Sequence, residues 1–398
     1  MNARTPVPSR GRALVVGGGI AGLCTAWGLS RRGFRVDLFE QGPLPNPRAS
    51  SYDEHRITRH AYGELEGYAY LMPRAFEIWE ALFRDVGARH YHESSVVYFV
   101  REDTPWYAAT SRALGALGVG HRDIPLSEVP DRFPMVETAG LTRVVETDRG
   151  GVLFPIRIMT DLVVALARDG VRFHADTRVR EIDPDGATVT TAAGERHRGD
   201  AVAVAAGAWV NALVPGQAER LVPSRQAVMY VAPPPELARA WADAPVLIDL
   251  GQTSGTYTLP PRPGTRLKVG DHEFTRSGDA DGDRIATDQD VSRLERAARA
   301  AYRDFDRYTV LERKVCFYTV TTDERFVVEP WGDRAWVVSA CSGHGFKLGA
   351  LIGEGAAAAI AGEIAPAEAT RWAAGLMSLE EGRALASGAT PAEAAHPA

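Results

Sequence analysis

Three lysines stand out against an arginine-rich background. Lys and Arg together number 45, and only Lys268, Lys314 and Lys347 are lysines. Arginine is permanently charged, whereas lysine is a compact amine whose proton affinity falls on desolvation, so each lysine asks for its own reason. Lys268 sits in Leu267-Lys-Val-Gly270, a strand-like segment with apolar neighbours. It is either an edge residue in water or a desolvated amine facing a cavity. Lys347 closes Ser342-Gly-His-Gly-Phe-Lys347, where His344 lies between Gly343 and Gly345 at a strand-to-helix turn. Glycines there allow unusual dihedrals and close approach of backbone to a ligand. Arg56 and Arg59 bracket Ile57-Thr58, and against so many arginines either reads as a solvated surface charge. Cys316, in Lys314-Val-Cys-Phe-Tyr318, is either a small buried hydrophobe or a reactive thiolate. Arg313 and Lys314 would favour the thiolate, although strand alternation turns at least one of them away. Cys24, inside the first helix, reads as a small hydrophobe, and Cys341 allows either role.

A glycine-rich turn supplies a second kind of chemistry. Gly17-Gly-Gly-Ile-Ala-Gly22 fits G-x-G-x-x-G between the apolar run Ala13-Leu-Val-Val16 and a helical segment from Ile20 to Arg32. Gly17 serves the tight turn, Gly19 lets N–H groups approach a pyrophosphate, and Gly22 lets helix and strand pack closely. The helix start offers unpaired donors and a positive dipole end to phosphates. Gly33 stops the helix, Phe34-Arg-Val-Asp-Leu-Phe39 alternates as a strand, and Glu40 at its end is placed to bond a ribose 2′-hydroxyl. These features predict a dinucleotide site, with NAD and FAD both open. The buried run Ala201-Val-Ala-Val-Ala-Ala206 ends in Gly207 beside Trp209. It is a core strand whose end, in a flavin-type fold, also runs close to the cofactor.

Around these motifs the pattern predicts helices over 68–86, 158–168, near 291–303 and 349–362, with 90–150 mixing short strands and proline-marked turns. Val171-Arg-Phe-His174 and Ala335-Trp-Val-Val-Ser339 read as strands, 222–320 as β-rich, and 277–284 as a Gly/Asp loop. The fold class is α/β in two domains.

Composition narrows the function. The chain has 398 residues and a net charge of −6, against a nucleic-acid binder, and 45% hydrophobic residues suffice for a core. Three cysteines make no disulfide framework. Residues 1–11 carry no apolar leader core, and no run approaches membrane-span length. A cytoplasmic protein that avoids membranes and carries no metal is expected.

Together these pieces resemble the FAD-dependent amine oxidase family of monomeric sarcosine oxidase and N-methyltryptophan oxidase. The matching strings, in order, are Gly17–Gly22, Ser50-Ser51, Arg56-Ile-Thr-Arg59-His-Ala-Tyr-Gly63, Ala206-Gly-Ala-Trp209, Leu267–Gly270 with His272, Val315-Cys-Phe-Tyr-Thr319 with Asp323-Glu324, and Ser342–Lys347. The resemblance implies a Rossmann-like FAD-binding domain from 1–90, 151–220 and 325–385, a β-rich substrate domain from 91–150 and 221–324, and a flexible tail over 386–398. It implies FAD held by Gly17, Gly19, Gly22, Glu40, Ser51, Arg56, Val179, Gly207, Gly343, Gly345 and Lys347, and attached covalently to Cys316 through an 8α-thioether. Arg59 and Lys347 match a clamp on the substrate carboxylate, Lys268 matches a lysine that activates oxygen, and Tyr257, Tyr318 and His344 match pocket residues.

The implied reaction takes a secondary or N-methyl α-amino acid to its imine, with a hydride equivalent passing to flavin N5 and O₂ then reduced to H₂O₂. A cyclic imino-acid oxidase and a flavin dehydrogenase using a protein electron acceptor are the alternatives. The partners are a small amino acid and O₂, and the protein is expected to be a monomer. Three departures stand near the expected pocket mouth and flavin edge: Tyr52-Asp53 in place of a His-Gly pair, Phe317 in place of a methionine, and Cys341 in place of a bulkier apolar residue.

Overall fold

A computed structural model describes residues 10–387 apart from Asp103. Its first sheet has six strands in the order Val327–Trp331, Ala335–Ser339, Ala201–Val204, Arg12–Val16, Arg35–Phe39 and Arg172–His174. The last five run parallel, and Val327–Trp331 pairs antiparallel at the edge. Parallel strands buried on both faces read as unbroken apolar runs, which is why Leu14, Val15, Val202, Ala203 and Val337 carry almost no exposure.

One face of this sheet packs on the helices Ile20–Arg31, Glu66–Val86, Pro155–Arg168 and Gly349–Ile360. The other packs on a three-stranded antiparallel sheet, Val179–Asp183, Thr188–Thr191 and Arg196–Arg198. Helices Ile20–Arg31 and Gly349–Ile360 meet through small residues: a Cβ on Gly353 would lie 2.4 Å from Cys24 Cβ. Cys24 is therefore a small apolar filler at a close crossing, its thiol pushed well up by burial.

The second sheet has nine strands. Eight run in the order Thr309–Val320, Val222–Ala232, Leu267–Asp271, Thr256–Leu259, Val246–Asp249, Tyr91–Val100, Arg143–Leu153 and Arg56–Thr58, and His121–Asp123 pairs beside Arg143–Leu153. The strand Arg56–Thr58 thus hydrogen-bonds within this sheet although the helix that follows it, Glu66–Val86, packs with the first. Helix Asp288–Ala301 covers one face and opens with a reciprocal cap, Thr287 and Asp290 each bonding the other's backbone N–H.

The expected helices appear, each end within three residues of its expected place. The reading of 90–150 as strands and turns is corrected by helix Pro105–Ala116, which starts on the proline. Proline suits a first helical position because its missing N–H would be unpaired there in any case. Helix Leu379–Ala386 reaches the start of the expected tail, and residues 388–398 of that tail lie outside the described residues, as do residues 1–9 of the segment read for a leader. No helix of the described residues is long and apolar enough to cross a membrane.

Candidate active site

A cavity of about 630 Å³ opens between the two sheets, beyond the carboxyl ends of the first sheet's parallel strands, where Val16, Phe39, Ala205 and Ser339 line it. That is the crevice in which open α/β sheets bind ligands. Among the residues singled out from sequence, Gly17, Gly19, Glu40, Ser51, Val179, Gly207, Gly343 and Gly345 all line it. So do Arg56, Arg59, Tyr257, Lys268, Tyr318, His344 and Lys347.

Two of the expected residues do not. Gly22 is packing: a Cβ there would lie 1.9 Å from the Gly17 carbonyl oxygen. Cys316 is half-buried and not itself in the cavity wall, although it shares a strand face with Tyr318, which is. The thiolate expectation meets opposition as well. Burial pushes the Cys316 thiol up, and Arg56, Lys268 and Lys314 pull the other way. Arg313 faces away and pairs with Glu295 at 2.8 Å. Phe317, expected near the pocket, points instead into the core of the second sheet, because strand alternation sets it opposite Cys316. Cys341 does line the cavity.

The dinucleotide end is built as the turn requires. Gly17 has φ +109°, and a Cβ on it would lie 2.3 Å from the Ala205 carbonyl oxygen, so only glycine fits. Gly19 starts helix Ile20–Arg31 without a side-chain cap, and the Ser51 hydroxyl accepts from the Ile20 N–H at 3.1 Å. Glu40 is bonded by the Gly18 N–H at 2.7 Å and by Asn46 at 2.8 Å. A helix start at a glycine, a carboxylate at the end of the next strand and room between them fit the pyrophosphate and ribose of a dinucleotide.

The opposite chemistry is cationic. Arg59 donates to the Ala61 carbonyl and lies 5.5 Å from the Tyr62 ring. Lys347 is buried, donates only to the His344 carbonyl at 3.1 Å, and sits 5.2 Å over the same ring. Neither has a carboxylate partner among the described residues. Burial, then Arg59 and Arg56, hold the Lys347 ammonium's proton affinity well below that of an ordinary lysine. His344 is kept neutral by burial and by Lys347. Its Nε2 lies 2.9 Å from the Glu324 carbonyl, so Nε2 carries the hydrogen and Nδ1 is left to accept from the Tyr62 hydroxyl at 3.4 Å.

Lys268 is fully buried in the cavity wall, which settles its two readings for the desolvated amine. Its Nζ donates to Asp53 at 2.7 Å. Asp53 also accepts from Arg56 and from the Tyr230 hydroxyl. Sequence reasoning noted Asp53 only as a departure and missed Tyr230. No local pattern marks a contact across 215 residues. Trp106, on the helix that was read as a turn, also lines the cavity and was missed.

Fold and site together define a dinucleotide-binding type of α/β protein with basic side chains in its cavity wall. Residues 12–359 match the family described as FAD dependent oxidoreductase, DAO, and the chain belongs to that family. It is 28% identical over 361 residues to monomeric sarcosine oxidase of Bacillus sp. (strain B-0618), covering 86% of this chain and 90% of that one. It is 26% identical over 361 residues to N-methyl-L-tryptophan oxidase of Citrobacter koseri, covering 86% and 93%. Among solved structures, L-proline dehydrogenase from P. horikoshii superposes with a TM-score of 0.78 over 92% of this chain and 98% of that one, at 16% identity, a likeness of fold. The chain is an FAD-dependent, amine-oxidising enzyme of the sarcosine oxidase and N-methyl amino acid oxidase type.

Proposed function

We propose that the enzyme oxidises a secondary or N-methyl α-amino acid to its imine and reduces O₂ to H₂O₂, with FAD attached through Cys316. The observation that carries this reading is that half-buried Arg59 and buried Lys347 line one cavity and neither has a carboxylate partner among the described residues. A buried charge without a partner is costly, and a substrate carboxylate supplies the missing partner. The guanidinium fork suits a planar carboxylate in two-point contact, and the ammonium adds a point charge.

Bound FAD supplies the redox chemistry, taking two electrons and a hydrogen from the carbon beside the amine and returning electrons to dioxygen. The protein's residues do the rest. Arg59 and Lys347 fix the carboxylate end, so the amine and its carbon face a defined wall. Tyr257 and Tyr318, hydrogen-bonded to each other, and the neutral His344 shape the pocket without adding charge. Lys268 holds a positive charge where dioxygen reduction builds up negative charge, and a pre-oriented cation in a dry site lowers that barrier. Amine C–H oxidation by O₂ balances as one imine and one H₂O₂ per substrate.

The test is anaerobic mixing of the holoenzyme with N-methyl amino acids, cyclic imino acids and N-methylamines lacking a carboxylate, followed by admission of air. Bleaching of the flavin band by N-methyl amino acids, then one H₂O₂ per bleached flavin, is expected. Bleaching by cyclic acids alone would shift the substrate to a ring. Reoxidation only by an added electron acceptor, with no peroxide, would replace the oxidase by a dehydrogenase.

A further inference from the structure

Behind the cavity wall, one loop carboxylate gathers charges from several elements. Asp53 is buried and does not line the cavity, whereas Lys268 and Arg56 do. Its Oδ2 accepts from Lys268 Nζ at 2.7 Å and from Arg56. Its Oδ1 accepts from the Tyr230 hydroxyl and from the Glu54 N–H at 2.8 Å. With two donors on each oxygen, the carboxylate has no acceptor left for a substrate proton, so it is not a base for the reaction.

The groups facing Lys268 come from every element around it. The loop 50–55 brings Asp53 and the His55 carbonyl, 3.5 Å from Nζ. Strand Arg56–Thr58 brings Arg56, and strand Thr309–Val320 brings Cys316. Strand Thr256–Leu259 brings the Tyr257 ring, 5.7 Å away, and strand Val222–Ala232 sets Tyr230 in register with the lysine. Lys314 bears on the same carboxylate while donating to the Tyr52 carbonyl at 2.6 Å. Burial holds Tyr230, Tyr257 and Cys316 neutral and pushes His55 down to about 3, also neutral. Of all these groups only Asp53 is an anion at neutral pH: burial would raise its carboxyl, but Arg56, Lys268 and Lys314 hold it well below the usual range.

We infer that Asp53 is a positioning residue that keeps Lys268 charged and pinned in the cavity wall. The consequence for dioxygen rests on the proposed role of Lys268. A buried ammonium gives up its proton unless a counter-charge holds it. Burial and Arg56 together bring Lys268 down to about 8 even against Asp53. Without the carboxylate those two act unopposed, the proton affinity falls further, and Lys268 turns neutral at physiological pH.

Only three lysines are present, so the charge itself can be watched. Holoenzyme labelled with ¹³C,¹⁵N-lysine has three side-chain signals, and Lys268→Met assigns the one in question. The Lys268 signal of the wild type should titrate near pH 8. In Asp53→Asn its midpoint should fall by about one pH unit or more, a tenfold loss of proton affinity. In Tyr230→Phe, which relieves the carboxylate of a competing donor and keeps the acid, the midpoint should rise. The rate of flavin reoxidation by O₂, followed over the same pH range, should move with the midpoint in each variant. An unmoved midpoint in Asp53→Asn overturns the inference. Should that variant not fold, a midpoint that does not rise in Tyr230→Phe overturns it instead. A midpoint that falls while reoxidation stays put upholds Asp53's hold on the lysine and removes Lys268 from the dioxygen step.

Discussion

Burying an ammonium or a guanidinium costs several kcal/mol unless a partner offsets it. The cavity contains both outcomes. Lys268 has its partner in Asp53, whereas Lys347 and Arg59 have no carboxylate partner among the described residues. The contrast separates a charge the protein satisfies itself from two basic groups that the proposed substrate carboxylate would pair. Cys316 is the residue whose role depends most on its neighbours. Only a thiolate attacks carbon, burial opposes the thiolate, and Arg56, Lys268 and Lys314 favour it. Acid denaturation of the wild type should therefore leave the yellow chromophore in the protein pellet, and Cys316→Ala should release it to the supernatant. Because burial raises the thiol, attachment of FAD to apoprotein should quicken as pH rises. A colourless wild-type pellet would show that the flavin is held without a bond to sulfur.

At the scale of elements, the segment after strand Arg12–Val16 has no room for an added atom at Gly17 or Gly22. A methyl at Gly22 meets backbone oxygen rather than a movable side chain, so no rotamer relieves it. Gly22→Ala should cost about 1–3 kcal/mol from overpacking and should lower both the melting temperature and the flavin content of the purified protein. A fully yellow Gly22→Ala with an unchanged melting temperature would mean that the turn does not position the cofactor.

Elements of this kind were legible because their signals are local. Ala13–Val16 and Ala335–Ser339 read as buried strands from continuous apolar residues, and the glycines around His344 marked a turn that does line the cavity. Helix Pro105–Ala116 was not legible, because its proline resembles a turn signal until the following residues are seen to pack. Strand parity alone places Phe317 on the face opposite Cys316, and the structure follows it. The contact between Asp53 and Lys268 was out of reach. It exists only once a loop before strand Arg56–Thr58 is laid against strand Leu267–Asp271, and nothing within a few residues of either side chain encodes that meeting.

At the scale of the whole molecule, an acidic protein of net charge −6 encloses a cavity in which Arg56, Arg59, Lys268 and Lys347 share the wall with Glu40, Glu64, Asp271 and Glu324. Low-dielectric walls focus the field of Arg59 and Lys347 on what enters beside them, favouring an anion there over a neutral or cationic amine. The wall is assembled from distant parts of the chain. Arg59 follows the edge strand of the second sheet, Lys347 comes from the turn after a strand of the first, and the glycine turn that fits FAD comes from the first βα unit. The proposed substrate recognition therefore draws on both sheets and rests on Arg59 and Lys347 binding a carboxylate. The most direct measurement compares wild type with Arg59→Ala on an N-methyl amino acid and on the same amine lacking its carboxylate, by the rate of anaerobic flavin bleaching. Loss of one charge-assisted contact is worth about 1.5–3 kcal/mol. The variant should therefore lose roughly 10- to 150-fold in kcat/KM on the amino acid and little on the decarboxylated amine. Equal losses on both compounds, or none on either, would contradict the assignment.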